Sequence, residues 1–170
     1  MSFSLPSTGA PRTRPLPLPA ASTASEPRVW TLPGLCWNAS VMTSFGALPV
    51  QVLRLHDPLR VDNGAIARIA WVDKVHLDES FLKSFPDAQP VLIRAGALGP
   101  NLPSQDVLVS PEQKITVTGP GYSKMLRPAR SLLGRPGVLR SPQMLLTYYL
   151  FHCGRPANVR CEGLDLHTAA

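Results

Sequence analysis

The feature that most constrains this chain is the shortness of its apolar runs. From Trp30 onward these runs are brief and are separated by glycine, proline and other turn residues, as at Val91-Leu92-Ile93, Val107-Leu108-Val109 and Ile115-Thr116-Val117. Such runs are typical of strands, and they are too short for the repeating apolar face of a packed helix. The 19 prolines and 12 glycines of the chain favour many turns. The sequence therefore predicts an all-β fold of short strands.

The rest of the pattern predicts further strands, a tight turn and one or two short helices. Three further strands are expected at Leu48–Val52, Ile66–Val72 and Met144–Phe151. Asp62-Asn63-Gly64 predicts a tight turn, because asparagine and glycine tolerate positive φ. One short helix is expected near Leu77–Phe85, and a second is expected after Pro128, since proline suits the first turn of a helix.

The N-terminal segment differs in composition from the rest of the chain. Eighteen of residues 1–27 are proline, serine, alanine or threonine, a mixture that cannot bury enough apolar area to offset the entropy of ordering. We therefore expect a disordered tail over residues 1–29 and one folded domain over residues 30–170. Within the tail, Arg14–Pro19 favours polyproline II, which leaves open a docking role or a plain tether.

The formal net charge of +6 is concentrated in the last third of the chain. Residues 114–170 hold eight basic residues against Glu162 and Asp165. A basic surface can attract nucleic acid or an acidic partner, or it can simply be a solvated face. No aromatic-rich RNA-binding motif and no helix-turn-helix pattern accompanies the charge, so nucleic acid is not a predicted partner.

The sequence also bears on location and cofactors. No run of 18 apolar residues is present, so no membrane span is predicted. The N-terminus lacks the basic start and apolar core of a classical signal peptide, which predicts a cytoplasmic protein. The three cysteines make an odd count that fits a reducing compartment. Cys153 and Cys161 lack the paired Cys-x2-Cys spacing of zinc sites, so no metal or other cofactor is predicted.

The most specific motif of the chain is residues 91–111, which read VLIRAGALGPNLPSQDVLVSP. This stretch resembles the signature IRAGALGPGLPxRDLLLSPxH of bacterial Hedgehog/intein (Hint) domains. Three other stretches resemble family segments in the same order, namely residues 38–53 (NASVMTSFGALPVQVL), 128–134 (PARSLLG) and 147–164. The resemblance extends over residues 30–168, which is nearly all of the predicted domain.

This resemblance implies a fold and a chemistry. The fold is a pseudo-symmetric all-β horseshoe of short strands. In the family, a cysteine at the start of the domain attacks the preceding carbonyl and converts a peptide bond into a thioester. A Thr-x-x-His motif holds that peptide and helps protonate the leaving nitrogen. A late His-Asn pair completes splicing in inteins, and an external nucleophile resolves the thioester in Hedgehog-type proteins. The implied partner is the chain itself.

An ungapped comparison with the family places its first catalytic residues on altered positions. The cysteine position falls on Gly34, and Cys36 lies two residues later, where a local deletion could bring it into register. In the middle motif Ser110 occupies the Thr or Ser position, and Gln113 occupies the histidine position. Glutamine can donate a hydrogen bond but cannot titrate. Because both parts of the site must touch one peptide bond, Gln113 is expected near the backbone of residues 34–36.

The late histidines of the family are replaced as well. Leu150 and Pro156 occupy their positions, and His152 lies two residues beyond Leu150 on the same predicted strand face. His152 could act as an acid after a register slip, or it could be an ordinary histidine. Cys36 could be a nucleophile if its pKa is lowered, or it could be a small buried residue. The candidate catalytic residues are Cys36, Ser110, Gln113 and His152.

The replaced positions bear directly on activity. Losing a general acid or base typically slows a reaction by ~10²–10⁴-fold, so the resemblance implies a self-processing domain whose activity is lost or weak. The alternative is a non-catalytic binding module that presents the retained scaffold and its basic C-terminal third to a partner. A remnant without an independent role also remains open, and the sequence predicts no particular oligomeric state.

Overall fold

Short antiparallel strands dominate the computed structural model, which describes residues 29–169. All but the last residue of the predicted tail over residues 1–29 lies outside the described residues. The strands are β1 (Ser40–Thr43), β2 (Gly46–Pro49), β3 (Pro58–Arg60), β4 (Ile66–Arg68), β5 (Trp71–Leu77), β6 (Val91–Ile93), β7 (Val107–Val109), β8 (Lys114–Thr118), β9 (Lys124–Pro128), β10 (Val138–Arg140), β11 (Leu146–His152), β12 (Ala157–Cys161) and β13 (Leu164–Thr168). The remaining regular elements are the helix α1 (Glu79–Ser84) and the 3-10 turns Val50–Val52, Pro86–Ala88, Pro120–Tyr122 and Ala129–Leu132. The predicted all-β class with few short helices is confirmed.

The strands form three antiparallel sheets. The largest has the order β4-β3-β1-β12-β13-β8-β9, with β2 paired to β1. A three-stranded sheet has the order β10-β6-β7, and β11 pairs with β5 in a two-stranded ribbon. This ribbon runs from the pair Leu146 and Leu77 to the pair His152 and Trp71. The ribbon and the three-stranded sheet flank the segment that enters the domain from the N-terminus.

Helix α1 begins where its sequence supplies a capping group. The Asp78 side chain accepts a hydrogen bond from the Phe81 N–H at 2.8 Å, as expected of an N-cap aspartate. Lys83 and Glu79, one turn apart, form an ion pair at 2.9 Å. Leu82 is the buried residue of the helix, and its packing and the Asp78 cap both help to hold this short element. The predicted helix near residues 77–85 is confirmed.

The predicted strand at Leu48–Val52 is wrong in its second half. Strand β2 ends at Pro49, and Val50–Val52 form a 3-10 turn. Val50 and Leu53 are both buried in the core, while Val52 is exposed. An alternating strand would place Val50 and Val52 on one face. A helical turn instead brings residues three apart to one side, so tertiary packing overrides the alternating pattern here.

The predicted strand at Ile66–Val72 is divided in two. Strand β4 pairs with β3, and β5 pairs with β11. Between them the Ile69 N–H donates to the Asp57 carbonyl and the Ala70 N–H donates to the His152 carbonyl. The chain therefore changes sheets at this point, which a continuous apolar run does not reveal.

The core consists of two apolar clusters. The first lies between the large sheet and the three-stranded sheet, and its fully buried members include Val41, Leu59, Ile93, Val107 and Ile115. The second lies beside α1 and the ribbon, and it contains Trp30, Cys36, Leu77, Leu82, Ala88, Leu146, Tyr148 and Leu150. The Tyr148 hydroxyl donates to the Ala88 carbonyl at 2.6 Å, so the one polar group of this ring is satisfied inside the cluster.

Residues 29–169 include no helix that is long and apolar enough to span a membrane. Over the same residues, no three His, Cys, Asp or Glu side chains lie together in a way that could hold a metal ion.

Candidate functional site

The segment Gly34–Cys36 passes between the three-stranded sheet and the ribbon. Leu35 forms bridges to Val109 of β7 and to Tyr149 of β11. The Leu35 N–H donates to the Tyr149 carbonyl at 3.0 Å, and the Tyr149 N–H donates to the Leu35 carbonyl at 2.8 Å. The Cys36 N–H donates to the Leu108 carbonyl at 3.1 Å. The segment therefore joins the two sheets, and its peptide groups are fixed from both sides.

Gln113 contacts the peptide that precedes this segment. It lies in the turn between β7 and β8, and it is buried. Its Oε1 accepts from the Gly34 N–H at 3.2 Å. Its Nε2 donates to the Lys114 carbonyl at 3.1 Å and to the His167 carbonyl at 3.0 Å. Both amide hydrogens are thus engaged, which orients the oxygen toward Gly34. The expected proximity of Gln113 to the backbone of residues 34–36 is confirmed.

Ser110, three residues before Gln113, forms hydrogen bonds with residues 30, 32 and 34. Its hydroxyl donates to the Leu32 carbonyl and accepts from the Trp30 indole N–H at 3.1 Å. Its backbone N–H donates to the Gly34 carbonyl at 2.9 Å. The side chain is fully buried. Ser110 and Gln113 together therefore fix residues 32–34 as an extended peptide.

Gly34 occupies a position that other residues would strain to adopt. Its φ is +148°, in the half of backbone space that favours glycine. A Cβ atom added there would lie 3.1 Å from the Tyr148 Cβ and 3.3 Å from the Tyr149 carbonyl oxygen. The residue is buried between β7 and β11. Both the backbone conformation and the close packing explain why glycine stands here.

Cys36 is fully buried in the second cluster. Burial raises the pKa of its thiol to about 12. Because the thiolate and not the thiol is the nucleophile, this environment suppresses its reactivity at neutral pH. The structure places its side chain among apolar residues and apart from the cavity beside Gly34, which Cys36 does not line.

His152 lines a cavity of about 240 Å³ that Gly34 and Gln113 also line. The walls of the cavity are mainly apolar and include Leu35, Leu150, Phe151, Val159 and Leu166. The His152 ring stacks on Trp71, with centroids 5.3 Å apart and an interplanar angle of 17°. Its Nδ1 accepts from the Gly154 N–H at 3.0 Å. The structure therefore brings His152 to the rim of the same site as Gln113, with one ring nitrogen already engaged.

Two residues of this site were not identified from the sequence. The first is His167, whose carbonyl orients Gln113 and whose Nδ1 lies 3.0 Å from the Asn158 Oδ1. The second is Trp30, which binds Ser110 through its indole N–H. The alternation of apolar and polar side chains over residues 164–167 is a sequence signal for a strand, but only the structure shows that this strand pairs with β8 directly after Gln113. No local signal marks Trp30, since its partners lie far along the chain.

An acidic group anchors Trp30 at the edge of the site. Asp87 Oδ2 accepts from the Trp30 backbone N–H at 2.6 Å, and Asp87 forms ion pairs with Arg130 at 3.1 Å and Arg140 at 3.0 Å. Burial opposes ionisation of Asp87, but hydrogen bonds from the Trp30 N–H, Arg130 and Arg140 outweigh it and hold the pKa of this carboxyl below its ordinary value. The carboxylate is therefore the charged form at neutral pH.

A family model described as the Hint domain matches residues 33–169. This chain belongs to the Hint domain family. Its fold is similar to a crystal structure of a variant of the MchDnaB-1 intein, with 12% identity and a TM-score of 0.51 over 80% of this chain and 99% of that chain. It is also similar to the gp41-1 intein, with 9% identity and a TM-score of 0.46 over 82% of this chain and 100% of that chain. No curated protein matches the sequence at a significant level.

The predicted Hint-like fold is confirmed by the family match and by the first of these structures. The resemblance places the family's cysteine on Gly34 and the family's histidine on Gln113. In this Hint domain those two residues are joined by a hydrogen bond from the Gly34 N–H to the Gln113 side chain. The site thus contains a peptide held by Gln113 and an adjacent cavity that Gly34 lines.

Proposed function

We propose that this Hint domain belongs to the self-processing family in fold but holds the Pro33–Gly34 peptide without cleaving it. The observation that carries the proposal is the hydrogen bond from the Gly34 N–H to Gln113 Oε1 at 3.2 Å. A domain that cleaves this peptide bond needs a group that donates a proton to the Gly34 nitrogen. In this chain the Gln113 oxygen instead accepts a hydrogen bond from the Gly34 N–H.

The chemistry of amide cleavage supports this proposal. An amide nitrogen leaves readily only when a general acid protonates it as the new bond forms. Glutamine does not titrate, and both hydrogens of the Gln113 amide are donated to the Lys114 and His167 carbonyls. Gln113 can therefore orient the peptide but has no proton to transfer. Loss of such an acid typically slows a reaction by ~10²–10⁴-fold.

The nucleophile is the second argument. Gly34 has no side chain, and the remaining candidate, Cys36, has its pKa raised to about 12 by burial. At pH 7 this thiol is almost entirely protonated, and only the thiolate attacks. An attack by Cys36 on the Leu35 carbonyl would also release the Cys36 nitrogen, whose N–H donates to the Leu108 carbonyl inside the sheet. Neither peptide bond has both a reactive thiol and an acid beside it.

Intact-mass measurement of the purified chain tests this proposal. We expect the 18.4 kDa species to persist during prolonged incubation with dithiothreitol at pH 7 to 8. The sample should be denatured before the measurement, so that fragments that remain associated are still detected. A new fragment that begins at Gly34 or at Cys36 would contradict the proposal. If a fragment appeared, Cys36→Ala would show whether the thiol produced it.

A pair of double variants tests whether only the catalytic groups are missing. Gly34→Cys with Gln113→His supplies a thiol and an acid, and Gly34→Ala with Gln113→His supplies the same Cβ without the thiol. Because a Cβ at residue 34 meets Tyr148 at 3.1 Å in an unfavourable backbone conformation, we expect both variants to lose stability, by about 1–3 kcal/mol. Cleavage by the first variant alone would show that the scaffold still supports the reaction.

The His152 candidate requires its own control, because His152 lines the cavity beside Gly34. If His152 served as a surrogate acid, His152→Gln would reduce any cleavage seen in the Gly34→Cys background. We expect His152→Gln to leave the otherwise unaltered chain intact. The comparison in the Gly34→Cys background decides the role, because only an imidazole that acts as the acid would change the extent of cleavage there, whereas a stacking partner of Trp71 would not.

A further inference from the structure

Trp30 lies before the family match begins at residue 33, yet it is part of the core. Only 7% of its surface is exposed. Its ring contacts Phe81 and Phe85 edge-on, with centroids 6.1 Å away in each case, and it packs on Tyr148 at 5.9 Å. Its indole N–H donates to the Ser110 hydroxyl at 3.1 Å. Residues of the domain therefore form a fitted pocket for one side chain of the upstream segment.

The backbone of Trp30 also forms hydrogen bonds with the domain, through both its N–H and its carbonyl. Its N–H donates to Asp87 Oδ2 at 2.6 Å, and its carbonyl accepts from Arg130 Nη2 at 2.6 Å. Both partners carry charge, and hydrogen bonds of this kind are roughly twice as strong as neutral ones. Arg140 and Glu112 hold Asp87 and Arg130 in place by ion pairs at 3.0 and 3.3 Å. The Trp30 N–H and carbonyl are thus bound by Asp87 and Arg130, and ion pairs with Arg140 and Glu112 fix these two side chains in position.

The residues on either side of Trp30 are exposed, whereas Trp30 itself is buried. Val29 is 50% exposed, and Thr31 and Pro33 are also exposed. Leu32 contacts the domain through its carbonyl, which accepts from Ser110. A single buried aromatic anchor with backbone hydrogen bonds on both sides is the arrangement of a peptide lying in a groove. The contacts of Trp30 are made to Phe81, Phe85, Asp87, Ser110, Arg130 and Tyr148, and none of them is made to residue 34.

We propose that this domain contains a binding site for an extended peptide with one tryptophan anchor, and that residues 30–33 of the chain occupy it. The pocket formed by Phe81, Phe85 and Tyr148 takes the indole, and the Asp87 and Arg130 pair takes the backbone. The upstream segment then stays on the domain when the backbone is cut between the anchor and Gly34. This proposal goes beyond the proposed function, because it holds whether or not the chain cleaves itself.

The test is a controlled cut in the full-length chain. A recognition sequence for a specific protease is inserted between Thr31 and Leu32, where both side chains are exposed and Leu32 keeps its hydrogen bond to Ser110. After cleavage, native size-exclusion chromatography is followed by denaturing mass measurement of each peak. We expect the fragment that ends at the inserted site to elute with the domain. Separate elution of the two pieces would overturn the proposal.

Two variants of the inserted chain assign the retention to the anchor. Trp30→Ala should weaken retention by at least about tenfold, since tryptophan anchors dominate interfaces of this kind. Val29→Ala changes a neighbouring exposed side chain and should retain the fragment like the parent. Equal retention by Trp30→Ala and the parent would show that the anchor is not responsible, and it would contradict the proposal.

A competition experiment covers the case in which Trp30→Ala fails to fold before cleavage. The cut parent protein is mixed with an excess of a synthetic peptide of residues 26–31, EPRVWT, which leaves the places of Leu32 and Pro33 to the domain's own residues. This peptide should displace the native fragment, and the same peptide with alanine in place of tryptophan should not. Equal displacement by both peptides, or by neither, would refute a tryptophan-specific site. The inserted cut differs in mass from cleavage before Gly34, so failure here is distinguishable from self-processing.

Discussion

Gln113 carries one carbonyl oxygen and one NH₂ group, and its neighbours decide which of them faces the peptide before Gly34. The carbonyls of Lys114 and His167 take both amide hydrogens, so the oxygen is left for the Gly34 N–H. A histidine in this place could accept from the same N–H and could also carry a proton to the nitrogen. On our proposal, this side chain and the missing nucleophile at Gly34 together separate a domain that holds a peptide from one that breaks it.

The three cysteines differ in accessibility, which makes their reactivity a test at the scale of single residues. Cys36 and Cys161 are fully buried, and burial raises the pKa of each thiol to about 12. Cys153 is only half-buried, although burial raises its pKa as well. We expect iodoacetamide at pH 8 to alkylate one cysteine in the native protein and all three in denaturant. Intact mass and peptide mapping give the count and the position.

Cys153→Ser is the matched control for this experiment. It should abolish alkylation of the native protein and leave two reactive cysteines after denaturation. Alkylation of Cys36 in the native protein would show an accessible thiol, and the nucleophile argument against cleavage would then fail. The expected selectivity follows from exposure and thiolate fraction together.

Elements that are remote along the chain cooperate in holding Trp30. Asp87 lies in the 3-10 turn Pro86–Ala88, Arg130 lies in the turn Ala129–Leu132, and Arg140 ends β10. Each of these elements is short and would be marginal in isolation. The Asp87 carboxylate forms ion pairs with Arg130 and Arg140 and accepts a hydrogen bond from the Trp30 N–H. Its ionisation therefore couples these three elements to the segment that contains Trp30.

This coupling predicts an acid dependence of stability. The native pKa of Asp87 is lowered, because hydrogen bonds from Trp30, Arg130 and Arg140 outweigh the effect of burial. A lowered native pKa stabilises the fold above the ordinary aspartate pKa of about 4, and this contribution is lost as the pH falls through the native value. We expect the Tm of the parent to exceed that of Asp87→Asn at pH 6, and the difference to shrink as the pH falls below about 4 toward the lowered native pKa.

Asp73→Asn provides the control for the acid experiment. Asp73 is an exposed carboxylate on β5, and thermal unfolding of this variant should follow the parent at every pH. A constant difference in Tm between the parent and Asp87→Asn from pH 6 to pH 3 would contradict the assigned role of the Asp87 charge.

At the scale of the whole molecule, the position of Trp30 extends the core beyond the start of the family match. The family match begins at residue 33, but the second core cluster includes residue 30. We expect a chain of residues 29–170 to keep the Tm of the full-length protein within a few degrees. Removal of residues 1–33 deletes the tryptophan and should lower Tm by at least about 6 °C, since truncating a buried aromatic costs about 3–5 kcal/mol.

Thermal unfolding followed by circular dichroism compares the two truncations directly. Equal Tm values for residues 29–170 and 34–170 would show that the Trp30 pocket contributes little to folding. A large loss already in residues 29–170 would show that residues 1–28 belong to the folded unit, contrary to the predicted boundary of the tail.

Three basic side chains of the last third of the chain are paired within the domain. Of the eight basic residues between positions 114 and 170, Arg130 and Arg140 form ion pairs with Asp87. Arg160 lies 3.6 Å from Asp165 across neighbouring strands. Part of the basic charge of this region therefore serves internal contacts.

The sequence by itself determined the strand-rich class, the short helix and the strands at Val91–Ile93 and Val107–Val109. These elements rest on local properties, namely short apolar runs, a capping aspartate and turn residues, that act over a few neighbouring positions. The motif of residues 91–111 determined the family in the same way, and the expected contact of Gln113 with Gly34 followed from that resemblance.

Only the tertiary structure decided which distant groups meet. The turn at Val50–Val52, the engagement of Gln113 by His167 and the pocket around Trp30 all depend on contacts between residues far apart in the chain. Hydrogen bonds and packing depend on which groups lie close together in space, and local sequence propensity does not predict which distant residues will do so. Burial is also decided by the tertiary structure. From the sequence Cys36 is a possible nucleophile, but in the fold burial raises the pKa of its thiol to about 12.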